Sequence, residues 1–277
     1  MKDLSNENII HVQKEDIEYI QFRKLLKYRE IAHCYTLKKL DFGFHQNVGK
    51  YMENVKTSYD KICKEIDIQR KDIVRPIQTH TNHVMVVEDK VNKDEMDICL
   101  NRYQDIDGVI TNKSKLGLST TNADCILFLF YDPVKQVIAN AHSGWKGTFS
   151  KIVVEVIKKM GETYHSDPRD IICCMSPSIR KCHFEVDDDV KELCENIFQY
   201  TNRLDEIIKV GRIVEDKQKY LIDTILINQI LLENMGIKTE NIIDSKICSV
   251  CEPEKIHSKR ASSTNTWGLG TAIIELR

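Results

Sequence analysis

Along the 277-residue chain the apolar positions fall into two kinds of run. Short segments, β-branched and often apolar at consecutive positions, occur at His83–Val87, Gly108–Thr111, Leu116–Thr120, Cys125–Tyr131, Gln136–His142, Ile171–Met175 and Ala272–Leu276. Segments apolar on both alternating faces predict strands in sheets covered on both sides. Patterns of helical period lie between them. In Glu53–Ile66 the residues Val55, Tyr59, Ile62 and Ile66 follow one another at spacings of four, three and four, which sets them on one helical face. Lys151–Met160 predicts a helix with Thr148 or Ser150 as N-cap and Gly161 as its stop. Asp187–Tyr200 and Asp223–Met235 predict two more, each opened by an aspartate, the second followed by Gly236.

Strands and helices do not alternate strictly, because four or five strands come in succession between His83 and His142. A doubly wound parallel sheet fits that order poorly, so the predicted fold is α+β, with mixed β-sheets flanked by helices. The sequence contains no Pro/Gly/Ser-rich linker, internal repeat or low-complexity tract. The most polar stretch, Lys181–Asp189, is short enough to be a loop entering a helix. A single domain over residues 1–277 is expected, with the weakest signal in roughly the first 30 residues.

Composition narrows the function. With 42% hydrophobic and 30% charged residues and only 5 prolines and 11 glycines, the chain has the material for a full core and is not disordered or collagen-like. Forty Lys+Arg against 42 Asp+Glu give a net charge of −2, without the basic excess that binding a phosphate backbone requires. Nucleic acid is therefore not an expected partner. The longest apolar run, Ile126–Tyr131, has strand length, and no membrane span is expected. Met1–Val12 carries acidic and polar residues where a secretory signal needs an apolar stretch, so a reducing, cytoplasmic location is expected. On that reading most of the 10 cysteines are free thiols, with Cys63, Cys173, Cys174 and Cys194 acting as small buried hydrophobes.

Three other residues stand at the ends of apolar strands, where a scaffold presents side chains to a cleft. His80 closes Pro76-Ile-Gln-Thr-His, Cys125 closes Thr120-Thr-Asn-Ala-Asp-Cys, and His142 ends Gln136-Val-Ile-Ala-Asn-Ala-His. If the strands after Cys125 and before His142 pair through a turn at Asp132-Pro133, the start of one lies beside the end of the other. One thiolate and two imidazoles suit Zn²⁺, which takes S and N ligands together, and three ligands leave a fourth position open for a reactant. Asp107 and Asp124 are nearby carboxylates that either shuttle a proton or cap turns.

Gln78-Thr-His80, Asp107-Gly-Val-Ile-Thr111, Thr121-Asn-Ala-Asp-Cys125, Ala141-His-Ser-Gly-Trp-Lys-Gly-Thr148, Ser176-Pro-Ser-Ile179, Cys182-His-Phe-Glu-Val186 and Cys248-Ser-Val-Cys251 ahead of His257-Ser-Lys-Arg260 stand in a telling order. In these motifs the chain, from about Asp41 onward, resembles the YfiH family. That family was once described as multicopper polyphenol oxidoreductase or laccase and is now described as purine nucleoside phosphorylase, with a peptidoglycan-editing member. The resemblance implies an α+β fold and zinc ligands at His80, Cys125 and His142, which would also be the catalytic residues. It implies phosphorolysis of adenosine, inosine, guanosine and S-methyl-5'-thioadenosine, with adenosine deamination as a second reaction. The expected partners are a small nucleoside and phosphate, met by a monomeric enzyme. Arg260 is the first choice for an anion or substrate contact, Lys146 beside the Gly147-Thr148 helix entry the second, and His45 in Phe42-Gly-Phe-His-Gln-Asn-Val-Gly49 is placed by the resemblance in a loop lining the cleft.

The chain also departs from the family pattern. Leu127 replaces a usual proline, Arg180 replaces a glycine, and the Ser-Tyr-Arg-Arg and Thr-Gly-Arg elements read Ser258-Lys-Arg-Ala261 and Trp267-Gly-Leu269, so two arginines are missing. Cys248-x-x-Cys251 has the form of half a zinc site or a redox pair, but no second pair follows it, and a loop approaching the active site is the preferred reading. The alternative chemistry for the main trio is a cysteine hydrolase or peptidoglycan-editing factor with Cys125 as nucleophile and His142 as base. A multicopper site is disfavoured, since the nine histidines are spread through the chain rather than clustered.

Overall fold

In a computed structural model, which describes residues 2–43, 48–88, 103–264 and 266–277, the apolar runs become two stacked six-stranded sheets and one small sheet. The strands are Ile9–Gln13 (β1), Glu18–Phe22 (β2), Ile31–Thr36 (β3), Ile73–Val74 (β4), Val84–Val86 (β5), Gly108–Thr111 (β6), Gly117–Asn122 (β7) and Ile126–Asp132 (β8). They continue with Val137–Ser143 (β9), Ile172–Met175 (β10), Glu185–Val186 (β11), Ile208–Val214 (β12), Lys217–Ile222 (β13), Ile242–Asp244 (β14) and Gly270–Leu276 (β15). One large sheet has the order β1-β2-β3-β15-β7-β4 and the other β14-β10-β8-β9-β6-β5, while β11-β13-β12 stand apart. Both large sheets are mixed, with β4/β7, β5/β6 and β10/β14 parallel and the remaining pairs antiparallel. The fold is α+β as the sequence predicts.

The two-residue period of β8 shows how the layers assemble. Leu127, Leu129 and Tyr131 join Leu118, Ala272 and Ile274 in a core between the large sheets. Ile126, Phe128 and Phe130 point the other way, into a core shared with Ile152–Tyr164 and Thr224–Asn234. On the outer face of the first sheet, Val55, Tyr59, Ile62 and Ile66 of the helix Val48–Ile66 pack with Ala32, Cys34 and Ile273. The result is helix, sheet, sheet, helix. Each Leu, Ile or Phe so buried contributes about 1.5–3 kcal/mol by removal from water. Asn140, an amide inside the sheet stack, is satisfied: its Nδ2 donates to the carbonyls of Leu118 at 3.0 Å and Ala272 at 2.8 Å, and the Thr120 hydroxyl donates to its Oδ1.

Two predicted helix boundaries change. The segment after His142 forms a short helix, Trp145–Phe149 (α2, after Val48–Ile66 as α1), and then Ile152–Tyr164 (α3), separated at Lys151 in the left-handed region with φ 61°. Neither Thr148 nor Ser150 is the N-cap of α3. Thr148 is instead bonded to Ser143 at 2.9 Å, and Ser150 to the Lys146 carbonyl at 2.9 Å. Gly161 does not end the helix either: α3 runs to Tyr164 and stops at His165, φ 57°, whose N–H donates back to the Gly161 carbonyl. Asp188–Phe198 (α4), Leu204–Ile207 (α5) and Thr224–Asn234 (α6) complete the described helices. Asp223 caps α6 by accepting from the Leu226 N–H at 3.0 Å, whereas Asp187 makes no cap bond and pairs with Lys219.

Cys63, Cys173, Cys174 and Cys194 are buried and unbonded, as expected of reduced thiols in apolar surroundings. Among the described residues no helix is long and apolar enough to cross a membrane.

Candidate metal centre and active site

The turn between β8 and β9 is the device that assembles the site. Asp132 Oδ1 accepts from the N–H groups of Val134 and Lys135 at 2.8 and 3.0 Å, which fixes the reversal and hence the register. That register pairs Ile126 with Ser143 and Leu127 with His142, so Cys125, one residue before β8, arrives beside the end of β9. His80 reaches the same place from the loop after β4, at φ 67°. The ligand atoms of His80, Cys125 and His142 lie within 4.8 Å of one another, with Cys125 Sγ 3.8 Å from His80 Nε2. The two imidazoles meet edge to face, ring centres 4.9 Å apart. The structure thus brings together the three residues that the strand ends single out.

Asp107, just before β6, holds the two histidines in place. Its Oδ1 accepts from His142 Nδ1 at 2.7 Å and from the His80 backbone N–H at 3.1 Å. Its Oδ2 accepts from the N–H groups of Thr79 at 3.1 Å and Thr81 at 2.8 Å and from the Thr81 hydroxyl at 2.8 Å. Burial opposes ionisation of this carboxyl, but the His142 ring and the surrounding donors outweigh it and hold it down at about 2. With His142 Nδ1 committed to Asp107, Nε2 is the nitrogen left for a ligand, the arrangement that orients metal-binding histidines. Asp107 is therefore no proton shuttle; it is fully buried, and both oxygens are taken.

Gly144 forms the floor of the trio. A Cβ on this residue would lie 2.7 Å from His80 Cδ2 and 3.0 Å from Cys125 Sγ, so only hydrogen fits while the three ligands keep their spacing. Electrostatics within the trio are strong. Burial raises the cost of a Cys125 thiolate, yet the His142 and His80 rings overcome it and pull the thiol down to about 6. Burial likewise disfavours the His142 imidazolium, but Cys125 and Asp107 push it up to about 9. Before any metal binds, these shifts describe a thiolate–imidazolium pair.

His80 and Cys125 line a cleft of about 540 Å³, within the usual range for small-molecule sites. Trp145, Ile179 and Phe184 give it an apolar wall; Lys146, Lys259 and Arg260 bring positive charge. Lys146 and Arg260 thus stand at the cleft. Arg260 is anchored: its backbone N–H donates to Asp124 Oδ2 at 2.7 Å, and Nη1 donates to the His183 carbonyl at 2.9 Å. Lys259 stands where the family pattern has a tyrosine, with Nζ 4.8 Å from the Trp267 ring centre, and adds a cation to the cleft that the sequence pattern alone does not single out. Its signal in the sequence was its place next to Arg260. His45 lies outside the described residues.

Asp124, the other carboxylate considered, serves as a strut. It sits at φ 86° with Oδ1 accepting from Ser249 Oγ at 2.6 Å and Oδ2 from Arg260, while its carbonyl accepts from the Ile179 N–H at 2.7 Å. Arg180, a departure from the family pattern, is paired bidentately with Asp244 of β14, Nη1 and Nη2 donating to the two carboxylate oxygens at 2.8 and 2.6 Å. The Cys248-x-x-Cys251 turn does approach the active site, through Ser249, but it also meets Cys182 and His183. Its partners lie upstream as an adjacent pair, where a search for a second Cys-x-x-Cys downstream does not find them.

The sequence profile of a family described as multi-copper polyphenol oxidoreductase laccase matches residues 32–277. A Bacillus subtilis (strain 168) protein named purine nucleoside phosphorylase YlmD is 31% identical over 189 residues, covering 68% of this chain and 66% of that protein. A Mus musculus protein named purine nucleoside phosphorylase LACC1 is 31% identical over 175 residues, 62% of this chain but only 38% of the mouse protein. The chain therefore spans less than two thirds of the length of each of these two relatives. A protein from an unknown prokaryotic organism named adenosine deaminase RL5 is 26% identical over 212 residues, 76% of this chain and 78% of that one. In fold, the crystal structure of the Bacillus licheniformis hypothetical protein YfiH superposes with a TM-score of 0.83 at 24% identity, covering 96% of this chain and 99% of that one.

Proposed function

This chain belongs to the multi-copper polyphenol oxidoreductase laccase family, and we propose that it is a zinc-dependent purine nucleoside phosphorylase with adenosine deaminase activity as a second reaction. The observation that carries the reading is the convergence of His80, Cys125 and His142 at the wall of a cleft that also holds Lys146, Lys259 and Arg260. One sulfur and two ring nitrogens form the mixed soft and borderline donor set that zinc takes, and Gly144 leaves room at its edge. A blue-copper or multicopper reading of the family description has less support, since only two of the described histidines join this group. Bound zinc would supply Lewis acidity and an open position at which a reactant oxygen is polarised.

The chain's own residues account for binding and orientation. Arg260, Lys259 and Lys146 would attract and position phosphate, while Trp145, Ile179 and Phe184 offer a purine an apolar face. In phosphorolysis a phosphate oxygen bonds to the ribose C1' as the bond to the purine nitrogen breaks, and the purine leaves with a proton. In deamination water adds at C6 of adenine and ammonia departs. Substrates of this reading are adenosine, inosine, guanosine and S-methyl-5'-thioadenosine, in a monomeric cytoplasmic enzyme. The relatives named phosphorylase and deaminase support both reactions.

The test is to incubate the purified protein with adenosine, inosine and methylthioadenosine, with and without phosphate, and identify products. Free base formed only with phosphate, and lost on chelation, is expected; no base under any condition overturns the reading. The thiolate–imidazolium pair of Cys125 and His142 favours one second reading, a cysteine hydrolase or peptidoglycan-editing factor. Activity that survives chelation and is abolished by thiol alkylation would establish it.

A further inference from the structure

Outside the cleft, the loop between β10 and β11 and the loop after β14 bring four further ligand side chains together. Cys182, His183, Cys248 and Cys251 have ligand atoms that all lie within 4.8 Å of one another. We propose that these four residues bind a second zinc ion, a closed structural centre separate from the His80, Cys125 and His142 group.

The spacing is that of a tetrahedron. With Zn–S about 2.3 Å and Zn–N about 2.0–2.1 Å, ideal edges come to about 3.8 Å between sulfurs and about 3.6 Å between sulfur and nitrogen. Cys182 Sγ stands 3.6 Å from Cys248 Sγ and 4.0 Å from Cys251 Sγ. His183 Nδ1 stands 3.2, 3.6 and 3.6 Å from the sulfurs of Cys182, Cys248 and Cys251. Neither sulfur separation approaches the roughly 2.05 Å of a disulfide, and all three cysteines are free. Four protein donors of the Cys₃His type, with no open position, are the mark of a structural rather than a catalytic site.

The surroundings fit a thiolate-rich centre. The backbone N–H groups of Arg180, Val250 and Cys251 are directed at Cys248, as donors that stabilise a metal-bound sulfur. On binding, each thiol gives up its proton to solvent and becomes a ligand. The two loops are already laced by main-chain bonds, Ser249 N–H to the Ser178 carbonyl at 2.9 Å and Ser178 N–H to the Ile247 carbonyl at 3.3 Å. A metal across them would fix Ser249 on Asp124 and the His183 carbonyl under Arg260, both at the cleft. The centre would thus clamp the loops from which Arg260 and Phe184 face substrate.

The experiment uses the full chain purified under reducing conditions. Elemental analysis and Co²⁺ substitution are applied to wild type, Cys125→Ser, and Cys248→Ser/Cys251→Ser. The double variant is expected to lose one zinc per chain and the intense near-ultraviolet thiolate-to-cobalt absorption, while Cys125→Ser retains most of that absorption. Should the double variant fail to fold, the wild-type chain still decides. Cys182 and Cys251 are exposed, so both react at once with a thiol reagent unless a metal holds them. Slow reaction that becomes at least tenfold faster after a strong zinc chelator supports the centre. Immediate reaction of both thiols in protein as purified, a Cys182 disulfide by mass, or zinc content unchanged in the double variant would overturn it. Zinc lost only from Cys125→Ser would support the first site and overturn this one; zinc lost only from the double variant would do the reverse.

Discussion

Replacing Asp107 by Asn tests whether one buried carboxylate orients the metal centre. The change is nearly isosteric and removes the charge, but its main effect is on hydrogen bonding. Asp107 accepts five bonds, two at Oδ1 and three at Oδ2, all from N–H or O–H groups. An amide must point its NH₂ at one of these sets. If it faces the Oδ2 set, the N–H groups of Thr79 and Thr81 lose their acceptor. If it faces the Oδ1 set, the His80 N–H is orphaned and His142 must place its lone pair on Nδ1, which takes it away from Nε2.

Each buried donor left without a partner costs about 1–3 kcal/mol, so two cost about 2–6 kcal/mol of folding stability in the first orientation. The second orientation instead concentrates the loss on the metal, where removing a partner behind a ligating histidine typically weakens binding about 10–100-fold. The chain settles into whichever is cheaper, so at least one observable must move. Denaturant midpoints of chelator-treated protein and zinc affinity by chelator competition, measured on the same samples, capture both. An Asp107→Asn protein with wild-type midpoint and zinc affinity within twofold of wild type would refute the argument that Asp107 orients the site.

Four other outcomes follow from the same geometry. Gly144→Ala inserts a methyl 2.7 Å from His80 Cδ2, so the protein should fold with a near-native midpoint but lose at least tenfold in zinc affinity, as read by competition with a chelating dye. Alkylation of chelator-treated protein should show Cys125 becoming reactive as pH rises through about 6, the value its His partners impose; a midpoint near that of an ordinary thiol would contradict the thiolate–imidazolium pair. Asp107 is depressed to about 2 from a usual 3.8, so the stability it contributes, roughly 2 kcal/mol, is complete above pH 3.8 and lost as pH falls towards 2; Asp107→Asn should flatten that part of the acid-unfolding curve. Leu129→Ala empties part of the core between the sheets and should cost about 2–5 kcal/mol in chemical denaturation without changing metal content.

The strands that build the site were legible because they are apolar at consecutive positions. Ile126-Leu-Phe-Leu-Phe-Tyr131 has an apolar core on each side, and such a run admits few other readings. The N-terminal strands were not. In Ile31–Thr36 the chain spells Ile-Ala-His-Cys-Tyr-Thr, where a histidine interrupts the pattern. That histidine is buried nonetheless: His33 Nε2 accepts from the Phe22 N–H at 2.8 Å, and burial drives its ring down to about 3, so it packs as a neutral acceptor. Sequence shows the polar residue, but its partner lies across the sheet. Helix ends failed similarly. Gly161 is a stop signal only if the chain must turn there, and here the helix still has Tyr164 to place against the core.

For the site itself, what could be read was whatever a local turn determines. Asp132 fixes the hairpin, and the hairpin fixes Cys125 against His142, so two of the three ligands follow from one register. His80 was marked only by its place beside a strand end, because no local pairing ties the loop after β4 to the hairpin; Asp107 does that, through bonds to His80 and His142 from a position just before β6. The same limit hid the second cluster. Cys182-His183 and Cys248-x-x-Cys251 are 66 residues apart between Cys182 and Cys248, and only the parallel pairing of β10 with β14 delivers the loops that follow those strands to one point. In this fold chemistry collects where strands end together, and a ligand pair is visible in sequence only when the connection between its strands is short enough to fix the register by itself.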